Sequence, residues 1–266
     1  LAPALHPGAR ALILGGGYIG LEAAAVATRL GLKVTLIERA PRILQRVAAQ
    51  ETSDYFRSLH EKNGVTIFED VGLDHLTGKD IVSRAVLTDG RILEADLVIV
   101  GIGIEPNIGI AAAAGLAIDN GIATDELGRS SDPSIWAAGD CASFPYAQHR
   151  IRLESVGNAI SHAEAVAENI LGANKAYSAK PWFWSDQYDT KLQIAGLSLG
   201  YNRVVARIGT EGALSFWYYG DERLLAVDAI NDARAYTVAR RLIDMGRSPG
   251  ITVVEDPTID LKSFLQ

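Results

Sequence analysis

The chain has 266 residues, of which 48% are hydrophobic, and its formal net charge at pH 7 is −7. This apolar content is enough for sizeable cores and excludes disorder as the main state, and the length is typical of about two domains. The acidic balance argues against nucleic-acid binding, and the single cysteine, Cys141, excludes an intrachain disulfide or a cysteine-rich zinc site. The longest near-apolar run, residues 11–21, is too short to span a membrane and no secretory leader precedes it, so we expect a cytoplasmic protein.

A strand, a glycine-rich turn, a helix and a second strand open the chain, and this order predicts a βαβ unit. The strand at residues 11–14 runs directly into the sequence GGGYIG at residues 15–20. The helix is expected from Ile19 to Leu30, where Gly31 ends it, and the second strand covers Lys33 to Glu38.

The GGGYIG turn matches the GxGxxG pattern of dinucleotide-binding sites. Gly15 allows the tight turn, Gly17 lets the backbone approach the pyrophosphate, and Gly20 permits close packing of the helix on the strand. Glu38 follows 18 positions after Gly20, where an acidic side chain accepts hydrogen bonds from ribose hydroxyls and repels a 2′-phosphate. These residues favour NAD over NADP, although the nearby Arg39 and Arg42 would soften the preference. The alternative interpretation is a glycine turn retained only for packing.

Further elements are predicted along the rest of the chain. In order they are a helix at Val47–Asn63, a strand at Val65–Phe68, a hairpin within Ile81–Glu94, strands at Leu97–Val100 and Ser134–Ala138, and a helix at Gly157–Leu171. The last part is predicted as antiparallel strands at Thr190–Ala195, Val204–Ile208, Leu214–Tyr219 and Leu224–Ile230, followed by a helix at Asp232–Met245.

Several single residues are candidates for chemistry, each with a plainer alternative. Glu22 either interacts with the dipole at the start of the first helix or faces a bound nicotinamide. The sequence Gly101-Ile102-Gly103 ends a strand at the carboxyl edge of the sheet, where ligands bind in open α/β folds. Asp140, after Gly139, either accepts a hydrogen bond from a polyol hydroxyl or is a simple turn residue. The histidines lack metal-ligand spacing, so no metal site is predicted and each is expected at the surface or in a loop; they are His6, His60, His75, His149 and His162.

Five sequence motifs together resemble a known family. GGGYIGLEAA (15–24), GIGIEPN (101–107) and TDELGRSSDPSIWAAGDCA (124–142) resemble the FAD- and NAD-dependent pyridine-nucleotide oxidoreductases. LESVGNAISHAEAVAENILG (153–172) and PWFWSDQYDTKLQIAG (181–196) are similar, within that family, to the ferredoxin reductases of bacterial P450 and ring-hydroxylating oxygenase systems. This is the putidaredoxin-reductase and rubredoxin-reductase group.

The resemblance implies an α/β fold with three parts. Residues 1–103 would be a Rossmann-like NAD-binding domain with a β-meander, and residues 104–181 the C-terminal half of a second Rossmann-like domain that binds FAD. Residues 182–266 would be a C-terminal α+β domain with an antiparallel sheet, of the dimerisation or partner-binding type. The N-terminal half of the FAD-binding domain is then expected to be absent from this chain.

The resemblance also implies site residues. Asp140 would bind the ribityl or pyrophosphate part of FAD, and Val156 would offer its backbone to the pyrimidine edge of the flavin. Trp184 would lie near the isoalloxazine, although a core tryptophan is the alternative. The expected catalytic residues are Glu22 and Trp184, and the expected cofactor-binding residues are Gly15, Gly17, Tyr18, Ile19, Gly20, Glu38, Arg39, Arg46, Gly101, Ile102, Gly103, Gly139, Asp140, Ser155, Val156 and Trp184.

The implied function is an NADH-dependent reductase that passes electrons through FAD to a [2Fe-2S] ferredoxin of an oxygenase or P450 system. Alternatives are a reductase with another acceptor, such as rubredoxin, peroxide or monodehydroascorbate, and a non-catalytic NAD-sensing protein similar to apoptosis-inducing factor. Monomer and homodimer both stay open. An acidic ferredoxin would need a basic patch for docking, and the predicted C-terminal helix region supplies four arginines, Arg234, Arg240, Arg241 and Arg247. A solvated amphipathic helix is the plainer interpretation of those arginines.

Overall fold

A computed structural model of the chain describes residues 4–210 and 212–265. The chain divides into two units. The first unit joins the segment that ends at Gly103 to the segment that begins at Trp184, and the second unit covers Ile104–Phe183. Among the residues so described, none of the helices combines the length and the apolar character that crossing a bilayer requires.

A four-stranded parallel sheet lies in the first unit. Its strands are β1 (Arg10–Leu14), β2 (Lys33–Ile37), β3 (Thr66–Phe68) and β7 (Leu97–Val100), in the spatial order β3-β2-β1-β7. Helix α1 (Tyr18–Arg29) connects β1 to β2, and helix α2 (Gln50–Lys62) connects β2 to β3. The predicted βαβ unit is therefore confirmed, and the run RALIL of β1 is nearly all apolar because a central parallel strand is covered on both faces.

A three-stranded antiparallel sheet adjoins these strands in the sequence. It contains β4 (Leu73–Thr77), β5 (Arg84–Leu87) and β6 (Ile92–Glu94), in the order β4-β5-β6. The predicted hairpin is β5 and β6, and its Gly90 has the positive φ of 86° that such turns require. Strand β4 was not predicted, because its sequence LDHLT is exposed at four of five positions and carries no apolar alternation.

Five antiparallel strands form the C-terminal sheet. They are β11 (Trp182–Gln187), β12 (Thr190–Gly196), β13 (Arg203–Ile208), β14 (Leu214–Gly220) and β15 (Arg223–Ile230), in the order β11-β12-β15-β14-β13. Helices α5 (Ala233–Asp244) and α6 (Ile251–Glu255) pack on this sheet over a core that includes Trp217, Val227, Val238 and Leu242. The four predicted strands and the predicted helix of this region are confirmed, and β11 is an additional strand at the edge.

A buried arginine fixes the last segment of the chain to the C-terminal sheet. Arg207, on the edge strand β13, is 5% exposed. Its guanidinium donates hydrogen bonds to the carbonyl oxygens of Val254 at 2.9 Å, Asp256 at 2.7 Å and Ile259 at 2.6 Å. Phe264 lies over the same group, with its ring centroid 5.9 Å from the guanidinium carbon. Backbone carbonyl oxygens thus accept the hydrogen bonds of this buried cation, where a carboxylate would be the expected partner.

The second unit contains β8 (Ile122–Ala123), β9 (Ala142–Tyr146) and β10 (His149–Ile151), with helices α3 (Gly109–Ala113) and α4 (Val156–Ile170). The predicted strand at Ser134–Ala138 is wrong, since this segment contributes only an isolated bridge between Arg129 and Trp136. The physical reason lies just upstream. The Ser130 hydroxyl and the Asp132 carboxylate accept hydrogen bonds from nearby backbone N–H groups, which favours turns over a strand.

Candidate nucleotide-binding site

The first glycine of the GGGYIG turn is required by the backbone of two strand ends. Gly15 has φ +100°, and a Cβ atom there would lie 2.5 Å from the carbonyl oxygen of Gly101. Its N–H donates to the Ile37 carbonyl at 2.8 Å, and the Gly101 N–H donates to the Leu14 carbonyl at 2.7 Å. The turn therefore brings the ends of β1, β2 and β7 together at the carboxyl edge of the parallel sheet, where open α/β folds bind ligands.

The other two glycines of the pattern differ in what surrounds them. A Cβ at Gly20 would collide with the carbonyl oxygen of Gly15, whereas a Cβ at Gly17 would meet no atom within 4 Å. Gly17 is the N-cap of α1, which has no side-chain cap and no acidic residue in its first turn. The helix N-terminus therefore faces open space with its N–H groups and positive dipole end available, a cradle that fits a pyrophosphate.

The acidic residue at the end of β2 is held against this turn. Glu38 accepts hydrogen bonds from the N–H of Gly16 through Oε2 and from the N–H of Ala40 through Oε1, both at 2.7 Å. Each carboxylate oxygen has a second lone pair for a ligand hydroxyl. The two backbone contacts thus fix a carboxylate beside the cradle, in a position suited to a ribose.

The remaining residues predicted at this edge lie at the ends of α1 and β7. Ile19 and Ile102 are each 69% exposed. A Cβ at Gly103 would lie 3.6 Å from Nη2 of Arg46, so the structure places that guanidinium at the end of β7. Arg39 is also exposed, next to Glu38.

The hydroxyl of Tyr18 does not point to this open edge. It is buried and has no hydrogen-bond partner among the described residues. Burial raises the pKa of this phenol well above its usual value, and the nearby Asp228 and Tyr218 raise it further. A ligand at the cradle would therefore meet the backbone of Tyr18 and not its hydroxyl.

One predicted catalytic residue, Glu22, is bonded to the sequence neighbour of the other, Trp184. The hydroxyl of Ser185 donates to Oε1 of Glu22 at 2.6 Å, and Trp184 is the preceding residue, with 46% of its surface exposed. Glu22 lies beyond the first turn of α1. The interpretation of Glu22 as a partner of the helix dipole in that turn is therefore wrong.

The predicted FAD-binding residues of the second unit lie at two backbone turns. Gly139 has φ +73°, and its N–H donates to Nδ1 of His162 at 3.3 Å. Asp140 follows with its side chain exposed. The Ser155 hydroxyl is the N-cap of α4 and accepts from the N–H of Asn158 at 3.1 Å. Val156, the first residue of α4, is 60% exposed, so α4 presents an N-terminus without acidic residues in its first turn.

Two histidines contradict the expectation of surface or loop positions. His60 and His162 lie within helices and are 0% and 1% exposed. His162 stacks on Tyr177 with ring centroids 4.5 Å apart, and burial lowers its pKa to about 4. His60 Nε2 lies 2.8 Å from Oε1 of Gln187. No signal within either helix foretells these contacts, because the partners come from elsewhere in the chain. In the described ranges no group of histidine, cysteine and acidic residues could hold a metal.

The predicted basic patch is partly neutralised. Arg234 forms an ion pair with Asp260, from the turn that follows α6, so an acidic group outside the helix offsets this arginine. Arg241 lies in the last turn of α5, where the helix dipole favours a cation. The patch is therefore weaker than the helix sequence alone suggests.

Comparison with known proteins places this arrangement in a family. Residues 1–163 match the model of the pyridine nucleotide-disulphide oxidoreductases, and residues 182–265 match the reductase C-terminal family. The chain is 42% identical to a ferredoxin–NAD(P)(+) reductase of Sphingomonas sp., over 100% of this chain and 65% of that protein. It is 38% identical to putidaredoxin reductase of Pseudomonas putida, over 96% of this chain and 62% of that protein. The chain thus spans less than two thirds of the length of these relatives.

Solved structures give the same assignment. A ferredoxin reductase of the CYP199A2 system from Rhodopseudomonas palustris matches with a TM-score of 0.93 and 39% identity, over 96% of this chain and 64% of that one. The covalent putidaredoxin reductase–putidaredoxin complex matches with a TM-score of 0.93 and 38% identity, over 98% of this chain and 64% of that one. The chain belongs to the pyridine nucleotide-disulphide oxidoreductase family.

Proposed function

We propose that this chain works as, or within, an NADH-dependent FAD reductase that delivers electrons to a small iron–sulfur protein, a [2Fe-2S] ferredoxin or a rubredoxin. One observation carries the nucleotide half of this proposal: the Glu38 carboxylate is fixed beside an uncapped helix N-terminus with open space at Gly17. The similarity to ferredoxin and putidaredoxin reductases supports the acceptor half.

The proposal assigns three roles along the chain. Residues 1–103 bind NADH, residues 104–181 complete the FAD site, and residues 182–266 cover the place where electrons leave. Within the first segment the N–H groups at the start of α1 bind the pyrophosphate, and Glu38 binds the adenosine ribose. A carboxylate there disfavours a 2′-phosphate by charge repulsion, which is why NADH is proposed over NADPH.

FAD, when bound, would supply the redox chemistry that joins a two-electron donor, NADH, to a one-electron acceptor. The residues of this chain would bind and orient the two cofactors. Asp140 would accept a hydrogen bond from the ribityl or pyrophosphate region, and the N-terminus of α4 at Val156 would stabilise negative charge on the pyrimidine edge. Glu22 would lie at the nicotinamide end of the dinucleotide, next to Trp184 on the proposed electron exit. No side chain of the chain needs to transfer a proton, because positioning and stacking supply most of the rate.

Isothermal titration calorimetry of the 266-residue chain with NADH and with NADPH tests the nucleotide assignment. We expect NADH to bind at least about tenfold more tightly than NADPH, equivalent to about 1.4 kcal/mol. Equal or tighter binding of NADPH would refute the role of Glu38.

The acceptor is tested with the FAD-loaded protein. Reduction of a [2Fe-2S] ferredoxin, a rubredoxin and ferricyanide by NADH is followed at increasing salt. Electrostatic docking predicts that the rate with the protein acceptor falls as salt rises, while the ferricyanide rate stays nearly constant. Slow, long-lived complexes with NADH and no fast turnover with either iron–sulfur protein would favour the NAD-sensing alternative.

A further inference from the structure

A continuous chain of side-chain hydrogen bonds runs through the first unit and ends on Glu22. We call it the donor chain, and its members are Tyr188, His60, Gln187 and Ser185. Tyr188 Oη lies 3.2 Å from His60 Nδ1, His60 Nε2 lies 2.8 Å from Gln187 Oε1, Gln187 Nε2 lies 3.0 Å from Ser185 Oγ, and Ser185 Oγ lies 2.6 Å from Glu22 Oε1. Helix α2 and strand β11 are thereby connected to helix α1.

The direction of every bond in the donor chain follows from the Glu22 carboxylate on which the chain ends. A carboxylate only accepts, so Ser185 must donate its proton to Glu22. Ser185 Oγ then accepts from the amide NH₂ of Gln187, which turns the amide oxygen of Gln187 towards His60. That oxygen requires a proton on His60 Nε2, and Nδ1 is left to accept from the hydroxyl of Tyr188. Burial lowers the pKa of His60 and so favours this neutral ring.

The donor chain is closed to solvent along its middle. Ser185, Gln187 and His60 are 1%, 0% and 0% exposed. Buried polar groups that are fully paired fix one arrangement, because any reversal leaves a donor or an acceptor unpaired in a buried place. A side chain that receives the last bond of such a chain is held in one orientation.

We propose that the donor chain positions the Glu22 carboxylate at the nicotinamide end of the dinucleotide site, with Ser185 as its terminal positioning residue. His60 and Gln187 pair with each other and with Tyr188 and Ser185, and the four side chains together deliver one hydrogen bond to Glu22. This inference rests on the proposed function, since it assigns the nicotinamide end of NADH to Glu22.

The experiment compares two ligands that differ only at that end. NADH carries the nicotinamide, and ADP-ribose lacks it, so the ratio of their dissociation constants isolates the contacts of the ring. Both are titrated by calorimetry into the 266-residue chain without added FAD, where NADH has no flavin to reduce, and into its S185A variant. We expect S185A to weaken the binding of NADH about tenfold, equivalent to about 1.4 kcal/mol. The affinity for ADP-ribose should stay within about twofold of the wild-type value. The conservative variant S185T keeps the hydroxyl and should restore NADH binding.

The control is the same substitution at Ser215, which is 0% exposed and accepts a hydrogen bond from Trp217 Nε1 at 3.0 Å. S215A should leave the affinities for NADH and ADP-ribose unchanged. If S185A lost as much affinity for ADP-ribose as for NADH, Ser185 would have a structural role only and the proposal would be overturned. Unchanged binding of both ligands in S185A would also overturn the proposal.

A second measurement does not depend on any nucleotide. The ¹⁵N resonances of His60 report which ring nitrogen carries the proton, and the donor chain requires Nε2. A proton on Nδ1 would break the donor chain as assigned. If the unmodified protein bound neither NADH nor ADP-ribose, the proposed function would fail, while the tautomer of His60 would still decide whether the donor chain exists.

Discussion

The hydroxyl of Thr52, in the first turn of α2, donates a hydrogen bond to Oδ2 of Asp228, in strand β15, at 2.7 Å. The hydroxyl of Tyr218 donates to the same oxygen and accepts from the N–H of Ala49 at 3.0 Å. Ala49 is the N-cap of α2 and provides no side-chain cap of its own. The C-terminal sheet therefore binds the start of α2, across 176 positions of sequence in the case of Thr52 and Asp228.

This buried carboxylate gives a prediction with a definite sign. Burial raises the pKa of Asp228 to about 6 from its usual value of 3.8, so between about pH 4 and 6 the folded state binds more protons than the unfolded state. The contribution of Asp228 to the free energy of unfolding should therefore fall as pH rises through this interval, by up to about 1.4 kcal/mol per unit of pKa difference. In urea unfolding measured at several pH values, D228N should lose this contribution, so the difference in free energy of unfolding between the wild type and D228N should change with pH. D96N is the control, because the hydrogen bond from Arg10 lowers the pKa of Asp96 to about 2; a difference for D228N that stays constant with pH would contradict the assignment.

His162 should show the opposite sign. Burial lowers its pKa to about 4 from 6.5, so the unfolded state binds more protons between these values and the contribution of this residue to stability is lost as pH falls. Because Gly139 donates its N–H to the ring, the amide resonance of Gly139 reports the titration. We expect its chemical shift to change near pH 4 in two-dimensional NMR spectra. A midpoint near 6.5 would mean that the ring is hydrated.

Alanine substitutions at two glycines of the cradle should have different effects, one on NADH binding and the other on folding. G17A adds a Cβ where no atom lies within 4 Å, so the variant should melt within a few degrees of the wild type and yet lose NADH binding, because the methyl group occupies the space of the pyrophosphate. G15A adds a Cβ 2.5 Å from a carbonyl oxygen at a φ of +100° and should destabilise the fold itself. Thermal melts and calorimetric titrations measure both effects. Retained NADH binding in a folded G17A variant would place the pyrophosphate elsewhere.

Glu38 should determine the choice between the two nicotinamide cofactors. E38Q removes the charge that would repel a 2′-phosphate, so NADH should bind about tenfold more weakly while NADPH is weakened less or not at all. Calorimetric titration with each cofactor measures the ratio of the two affinities. E51Q changes the same charge at an exposed position of α2 and should leave the ratio unchanged. Equal losses for both cofactors in E38Q would show that the carboxylate only supports the turn.

Local patterns predicted the elements that local chemistry determines. The turn at residues 15–20 and Glu38 are specified by glycine geometry and by spacing, and the structure has them at one sheet edge. The positions that sequence reasoning missed depend on distant partners. His60 is paired with Gln187, 127 positions away, and Arg234 with Asp260, 26 positions away. At Ser134–Ala138 an apolar run indicated a strand, but the hydrogen bonds of the polar residues before it favour turns.

The guanidinium of Arg207 bears on how this chain can be shortened. A deletion beginning at Gly250 would remove every carbonyl oxygen that now accepts from it. A guanidinium stays charged at any pH that a protein tolerates, so Arg207 would have to turn out into water and draw its edge strand away from the sheet. The carbonyl oxygens of the final segment thus take the place of water around a buried cation. We expect deletion of this segment to unfold the edge of the C-terminal sheet.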